Sequence, residues 1–279
     1  MEKIFLNNLS NNIKISFKNP KDKKNNLLVK NKIKVLKKNY LNSKNYYVIL
    51  KNPSFREGNI KRNVIKLSKF FGKTLPQNGK GKKYLIVKPD LKKLKSKSRK
   101  KIKEKLRYHQ TNLGGSIHSD GPQLNTPPKY VIMGCLDQAQ KGGQSILVSV
   151  NKLYRYLKRK KPQILNILKK EFFFERRGFG NKIFTKPIIT KKTNTIIFRY
   201  LREYIESGYK KKNKELKYEK IVALNYLDQL LRKKEFQYKY KMNKGDIIIL
   251  NNYLMAHGRS GFSLDKSKKK RSLIRIWIR

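Results

Sequence analysis

Apolar and polar positions alternate in short segments along the first part of the chain, and the spacing changes from one segment to the next. NYYVILKN (45–52) is an apolar run bounded by polar residues, which predicts a buried strand, as does KYLIVKPD (83–90). Between them, the helical spacing of apolar residues in 59–72 predicts an amphipathic helix that ends at Gly72. This part of the chain is therefore mixed helix and strand.

The pattern changes from residue 116 onwards. Short apolar runs, IMGCL and SILVSV, alternate with the turn signals DGP, TPP and KGGQ, which is typical of antiparallel strands in a barrel or jelly roll. Residues 151–170 predict a helix that Pro162 breaks or kinks, and residues 217–234 predict another amphipathic helix. Further strand-like segments lie at FFFE (172–175), KIFTKPIIT (182–190), TIIFRYL (195–201), FQYKYKM, GDIIILNN and SLIRIWIR.

This order of elements predicts an α+β fold. We expect a double-stranded β-helix (jelly-roll) core with flanking helices and a helical insert between its two halves. Residues 1–35 are rich in Lys and Asn and weakly patterned, with candidate short strands at ISF (15–17) and LLV (27–29). We therefore expect a basic N-terminal segment, 1–35, and a single domain over 36–279.

The charge of the chain is extreme, with 71 Lys and Arg against 17 Asp and Glu, a formal +54. Such a charge suggests a nucleic acid or another anionic partner. The Lys residues are spread along the whole chain, however, and Lys, Asn and Ile are the residues that an AT-rich genome favours. We prefer this compositional explanation, and we interpret the basic run at 91–107 as a solvated connector rather than a polyanion contact.

Cysteine content and hydropathy indicate a cytoplasmic protein. The single cysteine, Cys135, permits no intrachain disulfide, and its apolar neighbours suggest a small core residue. The first residues lack the apolar stretch of a secretory signal, and no run reaches the ~18 apolar residues of a membrane span. The oligomeric state is not indicated.

Candidate chemistry lies in two of the three histidines. His118 and Asp120 are two residues apart, so in a strand their side chains face the same way. His257 follows an apolar strand, where we expect a loop to bring it to the same point. Two histidines and one carboxylate make the facial triad of non-haem Fe(II) oxygenases, which leaves coordination positions open. The same three residues would also suit zinc, so a hydrolytic zinc site is an alternative.

Arg271 and Arg275 follow His257 on the predicted last strand, and they are spaced so that they share a face. A buried guanidinium requires an anionic partner. A dicarboxylate can supply one through a bidentate contact.

The stretch from YHQTNLGGSIHSDGP to SILVSV, with GDIIILNNYLMAHGRSGF and RSLIRIWIR, resembles the taurine dioxygenase (TauD/TfdA) family of Fe(II)/2-oxoglutarate-dependent oxygenases. It is most similar to the clavaminate synthase-like branch, which includes amino-acid hydroxylases. In that family TPP and a GG-x-S/T turn follow HxD, and HGR-x-x-F with a terminal Arg strand closes the site. The resemblance covers roughly residues 45–279.

The resemblance implies a role for each matching residue. His118, Asp120 and His257 match the iron ligands. Arg275 matches the arginine that grips the far carboxylate of 2-oxoglutarate, and Ser145 matches the hydroxyl that contacts the same carboxylate. Two further arginines also fall on family positions. The role of Arg271 is less certain, and the role of Arg259 is expected to be structural.

The resemblance implies that Fe(II), 2-oxoglutarate and O₂ oxidise a small substrate, most often by hydroxylation, with release of succinate and CO₂. A small carboxylate or an amino acid is the expected substrate, and Arg199 and Arg202 are candidate contacts for it. Two alternatives remain. The same chemistry could act on a nucleic acid or another polyanion, although the long spacing between His118 and His257 disfavours this. The chain could also be a non-catalytic basic binding protein on this fold.

Overall fold

The computed structural model describes residues 23–43, 45–51, 59–90, 111–193, 195–264 and 271–279. The helices are α1 (Lys23–Leu36), α2 (Ile60–Phe71), α3 (Val150–Lys160), α4 (Pro162–Leu168), α5 (Arg202–Lys211) and α6 (Tyr218–Arg232). The strands are β1 (Tyr47–Leu50), β2 (Thr74–Leu75), β3 (Tyr84–Val87), β4 (Tyr130–Asp137), β5 (Ser145–Ser149), β6 (Glu171–Phe174), β7 (Phe184–Pro187), β8 (Ile189–Lys192), β9 (Thr195–Phe198), β10 (Gln237–Tyr240), β11 (Ile247–Asn251), β12 (Met255–Arg259) and β13 (Ser272–Ile278).

A six-stranded antiparallel sheet is the larger of the two sheets that build the centre of the fold. Its order is β1-β11-β4-β13-β2, and β3 also pairs with β13. Neighbouring strands come from distant parts of the sequence, as in the pairing of Ile274 with Gly134. The near-continuous apolar runs predicted from IMGCL and GDIIIL therefore form strands that are buried on both faces.

The second sheet has three strands in the order β10-β5-β12. Its inward residues Leu147, Tyr240 and Met255 share one apolar cluster with Met133 and Ile248 of the larger sheet. The two sheets therefore face each other across a common core, which is a mixed helical and antiparallel architecture.

Helices and hairpins cover the outer faces of both sheets. On the larger sheet, Val64 of α2 and Ile33 of α1 pack with Ile132 and Ile274. On the smaller sheet, the segment between β5 and β10 supplies α3 to α6 and the hairpins β6-β7 and β8-β9. Pro162 begins α4 directly after α3 ends, which confirms the predicted break.

Two local predictions were wrong. LLV (27–29), a candidate strand, lies within α1, because Val29, Ile33 and Leu36 fall at helical spacing and pack on the larger sheet. The predicted loop at His257 is strand β12, which gains its order by pairing with β5. The segment 202–211, for which no secondary structure was predicted, is helix α5.

Some predictions fall outside the described residues. These are the candidate strand ISF (15–17), the basic run 91–107, and most of the segment 1–35. Helix α1 belongs to the part set apart as an N-terminal segment, and its apolar face contributes to the domain core. The boundary at residue 36 stays a prediction. In the described part of the chain, no helix is both long and apolar enough to cross a bilayer.

Candidate metal centre

His118 and His257 are brought together by a backbone bridge. The amide of His118 donates to the carbonyl of His257 over 2.9 Å, and the amide of His257 donates back over 2.8 Å. His257 is in turn fixed on β12, opposite Leu147 of β5. The two imidazoles therefore lie side by side, with ring centroids 4.7 Å apart.

Three consecutive residues, 118 to 120, are each held by a different part of the chain. After the bridge at His118, Ser119 exchanges hydrogen bonds with Tyr200: its amide donates to the Tyr200 carbonyl, and its hydroxyl accepts from the Tyr200 amide. The backbone of Asp120 is bound by the side chain of Asn252. This short segment therefore has a defined conformation without belonging to a long strand.

The side chains of His118, Asp120 and His257 converge on one point. One ligand atom from each lies within 4.8 Å of the others, and all three residues are buried. His118 Nε2 lies 3.9 Å from Asp120 Oδ1, and His257 Nε2 lies 3.6 Å from Asp120 Oδ2. The structure thus brings together the three residues that the sequence predicted as a triad.

The protonation states suit a metal ligand set. Burial lowers the pKa of both imidazoles, and the nearby carboxylate of Asp120 only partly offsets this, so both are neutral near neutral pH. Burial raises the pKa of Asp120, but the positive charge of Arg275, with smaller contributions from the two imidazoles, outweighs this, and the pKa lies below its usual range. Neutral nitrogen and anionic oxygen are the donors that Fe(II) oxygenases of this type use.

Two further observations fit a bound Fe(II). His118 Nδ1 lies 2.9 Å from the Ser116 carbonyl oxygen, which accepts its proton and leaves the lone pair on Nε2, facing Asp120. Asp120 Oδ2 is buried and has no partner at hydrogen-bond distance in the described part of the chain, although the Trp277 indole lies near enough to help lower the pKa of the Asp120 carboxyl. A buried, unsatisfied carboxylate oxygen is costly, and a cation held between it and the imidazoles would remove that cost.

Arg275 lies directly beside this centre. Its Nη1 donates to Asp120 Oδ1 at 2.5 Å, and its Nε donates to Gln77 Oε1 at 2.9 Å. The Gln77 amide also donates to the Arg275 carbonyl at 2.6 Å. Gln77 is a site residue that sequence reasoning missed. It lies five residues beyond Gly72, where the predicted helix ends, and no functional role was predicted for it.

Arg271 lies directly before β13, at a separate position from Arg275. It is buried, and its Nε donates to the carbonyl of Gly143 at 2.9 Å. Gly143 has a φ of +72°, and a β-carbon there would lie 2.9 Å from Arg271 Cδ, so the second glycine of the GG-x-S turn is required. Ser145, two residues further on, is also buried. Arg271 therefore lies at the same turn as Ser145, whose hydroxyl is predicted to contact 2-oxoglutarate.

The predicted substrate contacts, Arg199 and Arg202, are not among the residues that line the cavity beside the triad. Arg199 is buried, and its Nη2 donates to the Asn125 carbonyl at 3.4 Å. Arg202 binds Glu206 and Asp228 on the helices α5 and α6. Their role in substrate binding stays a prediction, and the ion pairs of Arg202 favour a structural one.

The cavity beside the triad is small and carries charges of both signs. It offers about 80 Å³ of water-accessible space. Besides His118, Asp120 and Arg275 it is lined by the charged residues Arg177 and Glu203. Arg177 is held in place by Glu175, whose Oε2 lies 2.7 Å from its Nε, and by stacking over Tyr204 at 5.3 Å. Glu203 is exposed, and partial desolvation at the cavity wall raises the pKa of its carboxyl.

Sequence reasoning missed Arg177, Glu203 and Asn252. The first two lie on segments that turn towards the triad only in the folded chain. Asn252 lies five residues before His257, inside a motif that had been read for its histidine alone.

Known proteins that are similar to this chain include oxygenases of the kind that its sequence resembles. The family model "Taurine catabolism dioxygenase TauD, TfdA family" matches residues 63–277, which is most of the chain. FR-33289 synthase from Streptomyces rubellomurinus is 25% identical over 216 residues, covering 74% of this chain and 60% of that protein. Human gamma-butyrobetaine dioxygenase is 26% identical over 156 residues, covering 53% of this chain and 40% of that protein. The matches thus span less than two thirds of these relatives.

Solved structures resemble the chain over nearly its whole length. An asparagine oxygenase in complex with Fe(II), hydroxyasparagine and succinate aligns with a TM-score of 0.69 at 12% identity, covering 90% of this chain and 79% of that one. The non-haem iron oxygenase OrfP, in complex with Fe and alpha-ketoglutaric acid, aligns with a TM-score of 0.61 at 12% identity, with the same coverage. At this identity the likeness establishes the fold.

Proposed function

Because this chain belongs to the taurine catabolism dioxygenase TauD/TfdA family, we propose that it is an Fe(II)- and 2-oxoglutarate-dependent dioxygenase. Its expected reaction is hydroxylation of a small carboxylate- or amino-acid-like substrate, with release of succinate and CO₂. The observation that carries the proposal is the buried convergence of His118, Asp120 and His257 around an unsatisfied carboxylate oxygen.

In this proposal the core is a double-stranded β-helix, and the triad lies between its two sheets. His118 and His257 would hold Fe(II) through ring nitrogens, and Asp120 would hold it through a carboxylate oxygen. When bound, Fe(II) would activate O₂, which takes two electrons from 2-oxoglutarate as it loses CO₂ and two from the substrate. The chain itself contributes a buried pocket, fixed ligand positions and charges that orient the two organic molecules.

Two arginines are candidates for the far carboxylate of 2-oxoglutarate. The family pattern assigns this role to Arg275, with Arg271 next. The contacts favour the reverse order, because Arg275 already binds Asp120 and Gln77, whereas Arg271 lies against the turn that carries Ser145. We therefore favour Arg271 with Ser145 for the co-substrate, and Arg275 as the partner of Asp120 at the cavity wall.

The charges of the cavity support a zwitterionic or amino-acid-like substrate. Arg177 and Arg275 offer positive charge to a carboxylate, and Glu203 offers negative charge to an ammonium group. Two structures of similar fold contain 3-hydroxyasparagine and alpha-ketoglutaric acid, respectively. A substrate with a carboxylate and an amino group would match both signs.

A polyanionic substrate is the second candidate, and the net charge of +54 favours it. Against it stands Glu203 at the wall of the cavity, which would repel a phosphate backbone.

We also propose a cytoplasmic location on the ground that Cys135, the single cysteine, is a buried free thiol.

The proposal is tested by adding Fe(II) and 2-oxoglutarate to the purified protein under anaerobic conditions and recording the visible spectrum. We expect a weak metal-to-ligand charge-transfer band that disappears when O₂ is admitted. Its absence in folded protein would overturn the proposal. Zn(II) in place of Fe(II) is the control and gives no band.

The substrate class is then tested by the release of succinate in the presence of single amino acids. Each is compared with its N-acetylated and its decarboxylated analogue. We expect stimulation only where both charged groups are present, and stimulation by oligonucleotides instead would favour the polyanion candidate.

A further inference from the structure

Asn252 makes an unusual set of contacts with a metal ligand. It lies in the turn between β11 and β12, and its side chain is completely buried. Its Oδ1 accepts from the Asp120 amide at 2.8 Å, and its Nδ2 donates to the Asp120 carbonyl at 2.9 Å. One side-chain amide thus binds both backbone polar groups of the same residue.

The same residue also holds the far end of the loop that follows Asp120. Its Nδ2 donates to the Pro128 carbonyl at 2.9 Å, and its own amide donates to the Lys129 carbonyl at 2.8 Å. The chain turns away after Asp120 at Gly121, whose φ is +62°. Asn252 therefore closes the loop 121–128 and fixes Asp120 at its start.

These contacts connect Asp120 with the strand that carries His257. Asn252 lies in the turn that leads into β12, and His257 is the third residue of that strand, so a shift of this turn would move both the anchor of Asp120 and the imidazole. A backbone held at both its N–H and its C=O cannot rotate, and this limits the directions in which the carboxylate can point.

We propose that Asn252 is a positioning residue for the metal centre. It acts through Asp120 and presents the carboxylate to the ion between the two imidazoles. The proposal rests on the proposed function, in that the triad is taken to bind Fe(II). Side chains that orient metal ligands in this way typically change metal affinity by about 10- to 100-fold when they are replaced.

The chemistry at this position requires an amide. In Asn252→Asp, the acceptor for the Asp120 amide is retained, but the donor to two carbonyl groups is lost. A carboxylate there would place oxygen against the carbonyl oxygens of Asp120 and Pro128. Asn252→Ala removes all three side-chain contacts without introducing this repulsion.

The neighbouring residue Asn251 provides a matched control. It is also buried, and its side chain likewise binds backbone groups, donating to the Leu41 carbonyl and accepting from the Tyr253 amide. Neither partner is a triad residue. Asn251→Ala therefore reports the general cost of losing a buried asparagine at this turn.

The experiment measures binding of Co(II) to the full chain by calorimetry, with the thermal midpoint of each metal-free variant recorded alongside. We expect Asn252→Ala and Asn252→Asp to weaken Co(II) binding at least tenfold, and Asn251→Ala to change it less than threefold at a comparable loss of stability. We also expect altered d–d bands of the Co(II) complex at saturating metal in the Asn252 variants alone.

Unchanged Co(II) binding in folded Asn252 variants would overturn the proposal, as would an equal loss in Asn251→Ala. If Asn252→Ala does not fold, Asn252→Asp decides by the same criteria. A wild-type protein that binds Co(II) but shows no turnover with Fe(II) and 2-oxoglutarate would overturn the proposed function, while metal affinity still decides the role of Asn252. A wild-type protein that binds no metal would overturn both.

Discussion

Asp120 is the residue on which the candidate centre depends, because its carboxylate and its backbone together join three different interactions. Oδ1 receives Arg275, Oδ2 faces His257, and the backbone is held by Asn252. A buried charge with this many fixed neighbours is stable as an anion. Substitutions around Asp120 should therefore affect metal binding, co-substrate binding and substrate binding separately.

His257→Ala should abolish Fe(II) binding and turnover while the fold is retained. The imidazole supplies a ligand atom, and its Nδ1 makes no hydrogen bond to a described residue, so its removal breaks little else. Calorimetry with Fe(II) under anaerobic conditions and circular dichroism check this. His109→Ala, which alters the third histidine of the chain, is the control. Retained turnover in His257→Ala would rule out the triad.

Arg271→Ala and Arg275→Ala should affect different steps. Loss of the arginine that grips the far carboxylate costs about 2–5 kcal/mol and should raise the KM for 2-oxoglutarate tens of fold or more. We expect this for Arg271→Ala, with Fe(II) affinity retained. Arg275→Ala should instead weaken Fe(II) binding, because Asp120 loses its partner. A raised KM in Arg275→Ala alone would restore the assignment made from the family pattern.

Glu203→Gln should weaken the binding of an amino-group substrate without changing the KM for 2-oxoglutarate. The side chain lines the cavity but is exposed to solvent, so the expected effect is only several-fold, or ~1 kcal/mol. Glu206→Gln, on the same helix and paired with Arg202, is the matched control. Equal effects of the two substitutions on substrate KM would argue against a contact at Glu203.

At the scale of elements, pairing and packing decide which segments become ordered. Strand β12 forms because β5 provides a partner for each of its residues, and helix α5 forms against the hairpin that contains β6. Gly208 permits that close approach: a β-carbon there would lie 2.6 Å from the Phe173 carbonyl oxygen. A glycine that is unfavourable for helix propensity is thus required by tertiary packing.

Gly208→Ala should therefore destabilise the protein, although alanine favours helices. The new methyl group meets backbone, which cannot move aside, and overpacking of this kind costs about 1–3 kcal/mol. Urea unfolding followed by circular dichroism measures the change in the free energy of unfolding. Lys210→Ala, at an exposed position of the same helix, should be nearly neutral. A gain of stability in Gly208→Ala would show that α5 can shift away from β6.

At the scale of the whole molecule, the dominant property is the charge of +54. Few acidic groups are available to offset it, and several of them are engaged in local pairs, as Glu175 is with Arg177 and Lys211. Repulsion between the remaining positive charges favours the unfolded chain, in which they lie further apart. The charge therefore affects stability whether or not it serves a partner.

Salt should accordingly stabilise the protein. Raising NaCl from about 20 to about 200 mM shortens the Debye length from roughly 20 Å to below 10 Å and screens this repulsion. We expect the free energy of unfolding in urea to increase over this range. A variant with several exposed lysines replaced by glutamine is the control and should respond less. A decrease with salt would mean that attractive pairs dominate.

Much of the fold was predictable from the sequence, because local pattern fixes what a segment can be. Helix α2 and its stop at Gly72, the break at Pro162 and the strands β1, β4 and β11 follow from apolar spacing and from turn residues. The ligand types were likewise visible, since the chain has few histidines and one of them lies two residues from an aspartate.

Only the tertiary structure decided how these parts meet. His257 joins His118 through a backbone bridge across 139 positions of the chain, and spacing along the sequence cannot specify such a pairing. The contacts of Asn252 with Asp120, and of Gln77 with Arg275, likewise join distant segments. The sequence alone determined which chemical groups were available and which local structures they prefer. Long-range packing of the two sheets set the directions and partners of these groups. They could not be predicted, because contacts between distant residues leave no periodic signal in either segment.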